Sequence, residues 1–163
     1  MFGGYDASKA GSTNMTFDLG QDISRDLTVG LQAITMTSNE TTVELLPEGI
    51  LTFIDSTVSH IWLPLSVCQK FEEAFNLTWN STVGLYLIND TLHESLLAQN
   101  ANLTFKVSNT TVGGSTINIT LPYESFDLTV EYPVVANRTR YFPVVRAANE
   151  SQYTLGRTFL QEA

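Results

Sequence analysis

The chain has 163 residues, 43% hydrophobic and 15% charged, with a formal net charge of −9 and an isoelectric point near 4.5. That length suits one domain with a substantial core. With only eight Lys plus Arg, and no run of them, the composition argues against nucleic-acid binding, which rests on basic contacts to phosphate. No stretch approaches the ~20 apolar residues of a membrane span. Met1-Phe2-Gly3-Gly4-Tyr5-Asp6 lacks the basic start and apolar run of a signal peptide.

In chain order, runs rich in Val, Ile, Thr, Phe and Tyr predict strands over 27–36, 42–46, 50–54, 83–88, 103–107, 116–121, 126–131 and 141–145. Val112-Gly113-Gly114-Ser115 predicts a hairpin turn between two of them. Helical spacing is scarcer. Val67, Phe71, Ala74 and Phe75 share one face of a helix over 66–76, with Ser66 as its expected cap. A second short helix is expected over 91–99, with Leu92, Leu96 and Leu97 inward, and a third over 156–162. The chain shows no internal repeat or low-complexity segment. The sum is an all-β domain with a few short helices.

The asparagines are unusual. Ten of eleven stand in Asn-x-Ser/Thr sequons: Asn14, Asn39, Asn76, Asn80, Asn89, Asn102, Asn109, Asn118, Asn137 and Asn149. Chance would give about two or three. The pattern predicts a secreted or cell-surface glycoprotein of eukaryotic origin. Asn102 and Asn118 fall in strand-like text and should point outward. A secretory protein without a signal peptide reads as a fragment. The lone Cys68 is then either a buried free thiol or half of a disulfide whose partner lies elsewhere.

One segment carries chemistry. In Leu51-Thr52-Phe53-Ile54-Asp55-Ser56-Thr57-Val58-Ser59-His60-Ile61-Trp62-Leu63-Pro64 an apolar strand runs into an Asp followed by hydroxyl residues. A carboxylate at the end of an apolar strand is costly unless hydrogen-bonded, and the hydroxyls and N–H groups of the following turn can supply those bonds. This text resembles the active-site segment of pepsin-like aspartic peptidases, particularly secreted fungal-type members. Asp55 matches the catalytic aspartate and Ser56 the Thr/Ser beside it; Ser59 and Trp62-Leu63-Pro64 fit the family's downstream text. Phe2-Gly3-Gly4-Tyr5-Asp6 and 27–36 resemble the strands that open the family's second lobe. Tyr153-Thr154-Leu155-Gly156 with Phe159-Leu160 resembles the turn and helix behind the active site. The first-lobe flap has no counterpart.

The resemblance implies one domain over 1–163, the C-terminal lobe of a bilobal β-barrel peptidase, ending before the family's final strands. The N-terminal lobe is then a missing partner. Asp55 would be one of two carboxylates that share a proton and activate a water toward a peptide or protein substrate. Ser56, Thr57, Leu155 and Gly156 would support it, and the isolated lobe would be inactive. No cofactor or metal is implied.

The segment departs from the family at three places. Thr57 stands where glycine is usual, Val58 lacks the hydroxyl expected to help hold down the Asp55 pKa, and Arg157 replaces a common Asp. These departures motivate the alternative of a non-catalytic, peptide- or partner-binding glycoprotein on the same scaffold. A glycosylated β-sandwich adhesion domain is a third reading. Away from Asp55, His60 reads as outward or satisfied, His93 as a solvated helix residue, Glu72-Glu73 as a wet helix face, and Trp62 and Trp79 as packing residues. No Gly-x-Ser-x-Gly serine-hydrolase motif is present.

Overall fold

The computed structural model describes residues 15–20, 23–39 and 41–163. The Phe2–Asp6 motif and Asn14 therefore lie outside the described residues. The strands are β1 (Thr28–Ser38), β2 (Thr41–Glu44), β3 (Ile50–Ile54), β4 (Ile61–Leu63), β5 (Trp79–Asn80), β6 (Leu85–Ile88), β7 (Asn102–Ser108), β8 (Thr116–Pro122), β9 (Leu128–Val130), β10 (Thr139–Phe142), β11 (Val144–Arg146) and β12 (Thr154–Leu155). The helices are α1 (Leu65–Phe75), α2 (Asp90–Gln99) and α3 (Arg157–Glu162). This is the expected mostly β-sheet fold with three short helices.

Among the described residues eight strands form one sheet, in the order β11-β4-β12-β3-β1-β7-β8 with β2 paired to β1. Four more form a second sheet, β5-β6-β10-β9. The longest strand shows how residue pattern becomes shape. Along β1 the buried apolar residues are Val29 and Leu31, then Ile34 and Met36. Odd positions face inward and then even ones do. A strict period of two cannot do this, and the register against β7 shifts between Leu31 and Ala33. The bulge lets one continuous strand keep both halves of its apolar text in the core.

β7 and β8 alternate more simply. Leu103, Phe105 and Val107 are buried, and Ile117 and Ile119 pack at the core margin. Core aromatics join the layers. Phe71 stacks on Phe75, Phe75 and Phe126 pack against Phe142, and Phe105 bridges Phe126 and Phe159. This row runs from α1 to α3.

Several expectations change in detail. Helix α1 begins at Leu65 after Pro64, and Pro64 rather than Ser66 occupies the cap position. Proline fixes a φ suited to entering the turn, so no side-chain cap is used. In α2 the cap is Asn89, whose Oδ1 accepts from Leu92 N–H. Leu97 is exposed rather than inward, while Leu96 is buried. The 141–145 run splits at Pro143 into β10 and β11, which lie in different sheets. The 126–131 run begins as a 3-10 turn, Tyr123–Phe126, before β9. The strand expected over 42–46 ends at Glu44, and the one over 83–88 starts at Leu85 because Val83 and Gly84 are in a turn. The β7–β8 hairpin uses Gly113 and Gly114 at positive φ, as a turn of that shape requires.

Candidate active site

β12 lies between β3 and β4, parallel to the first and antiparallel to the second. Since β3 and β4 are consecutive in the chain, residues 55–60 must cross over the end of β12 to join them. Asp55 is the first residue of that loop. Its backbone N–H donates to Leu155 O at 3.2 Å, just after Phe53 N–H donates to Tyr153 O at 2.9 Å. On the far side Arg157 N–H donates to Val58 O at 2.7 Å, and the Thr158 N–H and hydroxyl both donate to Ser59 O.

Gly156 is required by closeness. A Cβ there would sit 2.4 Å from Val58 O and 2.3 Å from His60 O, both backbone atoms. Leu155 and Gly156 are buried directly under the loop.

The Asp55 side chain is held from its own loop. Thr57 N–H donates to Oδ1 at 2.8 Å and the Thr57 hydroxyl donates to the same oxygen at 2.7 Å. The Thr57 hydroxyl is the largest influence holding the carboxyl below its ordinary value, followed by the Thr57 N–H; desolvation opposes weakly and the Val58 N–H assists. The hydroxyl lost at Val58 is thus replaced from the position where glycine was expected. The turn's hydroxyls and N–H groups are the donors expected from the sequence, but Thr57 itself enters that reading only as a departure from glycine. An Asp followed two residues later by Thr is the text of a local side-chain turn, and that signal was available.

Ser56 and Thr57 are exposed on the rim. Ser59 Oγ accepts from the Arg157 guanidinium at 2.7 Å, tying the loop to the start of α3. His60 packs edge-on against Tyr141, ring centroids 5.5 Å apart. Burial, helped by Arg157, pushes the His60 imidazole down. A surface cavity of about 1270 Å³, lined by Arg25, Leu46, Ile50, Pro64, Val67 and Tyr153 among others, does not include Asp55.

Other polar groups are less wet than the sequence implied. Glu72 does not lie on a solvated face: its Oε1 accepts from Arg146 and from the Tyr86 hydroxyl, both at 2.6 Å. Arg146 also covers the Trp79 ring at 4.9 Å. Trp62 and Trp79 pack around a small second cluster of Leu85, Tyr141 and Val145. His93 is nearly buried, with Nδ1 3.3 Å from Asp127 Oδ1.

Cys68 is a buried free thiol, and burial pushes it up to about 12. A neutral thiol of that kind is a poor nucleophile. Eight of the nine described sequon asparagines are exposed, and Asn80 is half-buried.

This topology defines a class: a β domain in which an aspartate begins a loop between two strands that flank an inserted third. Residues 1–163 match the family model for eukaryotic aspartyl protease, and the chain belongs to that family. Among solved structures, the aspartic proteinase from Irpex lacteus matches over 98% of this chain and 45% of its own, with 16% identity and a TM-score of 0.61. At that identity the likeness is one of fold. The chain therefore spans less than half the length of the solved structure it matches. No curated protein matches the sequence. Among the described residues no helix is long and apolar enough to cross a membrane.

Proposed function

We propose that this chain is the C-terminal lobe of a secreted aspartic endopeptidase, contributing Asp55 as one of two catalytic carboxylates. The observation that carries the reading is the Asp55 loop itself. It crosses an inserted strand, it is anchored on both sides by backbone hydrogen bonds, and it holds one oxygen of the carboxylate through Thr57. Family membership supports it, and the 45% coverage of the fungal proteinase agrees with a second lobe supplied from outside these residues.

Two nearby carboxylates share a proton because both cannot ionise easily. Of such a pair, the member with hydrogen bonds to its charged form keeps the negative charge. Asp55, bonded twice at Oδ1, is suited to that role. Its partner from the first lobe would then carry the proton and donate it to the scissile carbonyl, while the pair activates a water. The substrate is an extended peptide or protein held between lobes. Leu155 and Gly156 set the height of the loop, and Ser56 stands on its rim.

The test is cleavage of a mixed peptide library by the full reading frame between about pH 3 and 7, with Asp55→Asn alongside, since an amide cannot share the dyad proton. Acid cleavage that disappears in the variant is the expected result. A well-folded wild type that cleaves nothing would move the reading to a non-catalytic binding glycoprotein, which the β-branched Thr57 in the glycine position favours.

A further inference from the structure

The exposed faces of β7 and β8 carry two sequons in adjacent positions. Thr104 and Thr120, which close the sequons begun by Asn102 and Asn118, are register partners whose hydroxyls lie 2.8 Å apart. Side chains two apart on a strand share a face. Asn102, Thr104, Asn118 and Thr120 therefore stand on one face, while Leu103, Phe105 and Leu121 are buried on the other. Asn102 and Asn118 are both exposed. Asn118 is opposite Lys106, so the two asparagines are separated by about 14 Å along the diagonal.

β8 is also the last strand in the order of the large sheet, and among the described residues nothing pairs with its outer side. A strand of seven residues with Ile117 and Ile119 at the core margin is a template for pairing with another chain unless something covers it.

We infer that Asn118 and Asn102 carry N-linked glycans that shield the β8 edge, unpaired among the described residues, against association between chains. In the modification, the Asn Nδ2 bonds to the anomeric carbon of a lipid-pyrophosphate-linked oligosaccharide. The bond from that carbon to the pyrophosphate oxygen breaks, and Nδ2 gives up one proton as the lipid pyrophosphate leaves. Among the other described sequons, Asn109 stands in the turn that joins β7 to β8, and Asn149 caps the 3-10 turn Glu150–Gln152. Asn76 follows α1, Asn89 caps α2, and Asn39 follows β1. The two segments that build the Asp55 junction, 50–63 and 153–158, contain none. No glycan is therefore expected on the Asp55 loop, on β3 or β4, or on the Gly156 turn itself. The inference rests on the secretory location proposed above but not on catalysis.

The experiment expresses the chain, in its full reading frame, in a glycosylating eukaryotic host. Glycans are released with an amidase in heavy-oxygen water, which tags each formerly modified Asn as labelled Asp for peptide mass spectrometry. Tags at Asn118 and Asn102 are expected; unmodified asparagine at both in the secreted protein overturns the inference. Asn118→Gln and Thr120→Val each remove the outer sequon, whereas Thr120→Ser keeps it together with a hydroxyl facing Thr104. Light scattering should show the first two shifted to higher mass and Thr120→Ser unchanged, with Asn137→Gln as a control away from the edge. A fully monomeric Asn118→Gln that has lost its tag would overturn the shielding role. Loss of peptidase activity in Asp55→Asn leaves all these readouts untouched, so the two proposals fail separately.

Discussion

Two carboxylates in this domain each receive two short hydrogen bonds on one oxygen, and they are held in opposite ways. Asp55 is bonded by Thr57, two residues along its own loop, and remains partly exposed. Glu72 is bonded by Tyr86 and Arg146, 14 and 74 residues away, under a guanidinium that itself covers Trp79. The first arrangement sets a charge without packing the group into the core. The second uses the charge to fasten α1 to β6 and β11. A group meant for chemistry needs the former; a structural clamp needs the latter.

The comparison breaks most severely where the Asp55 loop is supported. Gly156→Ala would place a Cβ against the Val58 and His60 carbonyl oxygens, neither of which can move without shifting the loop. Backbone overpacking of this kind costs about 3 kcal/mol. Denaturant unfolding should show that loss as a lower midpoint at unchanged slope. A change below about 1 kcal/mol would mean that the loop is not seated on Gly156 as described.

The clamp comes next. Glu72 and Arg146 are each roughly a quarter exposed, so neither is a fully buried ion. Removing one leaves the other with unmet hydrogen bonds, and Glu72→Ala or Arg146→Ala should each cost about 2 kcal/mol. In the double variant the losses should fall short of additive by about 1 kcal/mol or more. Strict additivity would show that the pair carries no coupling in solution.

These two regions were unequally legible in the sequence. The Asp55 loop is local text, an apolar strand ending in Asp with hydroxyls after it, and the Gly156 turn could be matched to it by resemblance. Glu72 reads as wet because it adjoins Glu73 and falls outside the apolar stripe of Val67, Phe71, Ala74 and Phe75. What buries it comes from Tyr86 and Arg146, and no helical periodicity reports partners that far along the chain. The same limit explains His93, whose partner Asp127 lies beyond β7 and β8. Short strands such as β4, β5 and β12 escaped for a related reason. With two or three residues each, they are strands only because of what they pair with, and β12 exists because β3 and β4 leave room between them. The split of 141–145 at Pro143 is different, since proline's missing N–H was visible and pointed to a break.

The smallest effect is the most informative about the Asp55 side. Thr57→Val keeps the β-branched shape and the backbone N–H but removes the hydroxyl that chiefly holds the Asp55 carboxyl low. Its pKa should rise in the variant, read from the side-chain carboxyl carbon shift across an acid titration, while Thr57→Ser should leave it near the wild-type position. The sign for stability follows from the lowered native value. Such a carboxylate stabilises the fold above the ordinary carboxylate pKa and loses that contribution as pH falls through the lowered one. Thr57→Val therefore narrows the pH interval over which the contribution is lost, and the melting temperatures of variant and wild type should converge at the acid end. The difference at neutral pH should be slight, because Asp55 is not buried. A titration unchanged in Thr57→Val would assign the control of Asp55 to the Thr57 and Val58 N–H groups alone. The glycine more usual at that position could then do the same work, and Thr57 would have no special part in setting the charge of the site.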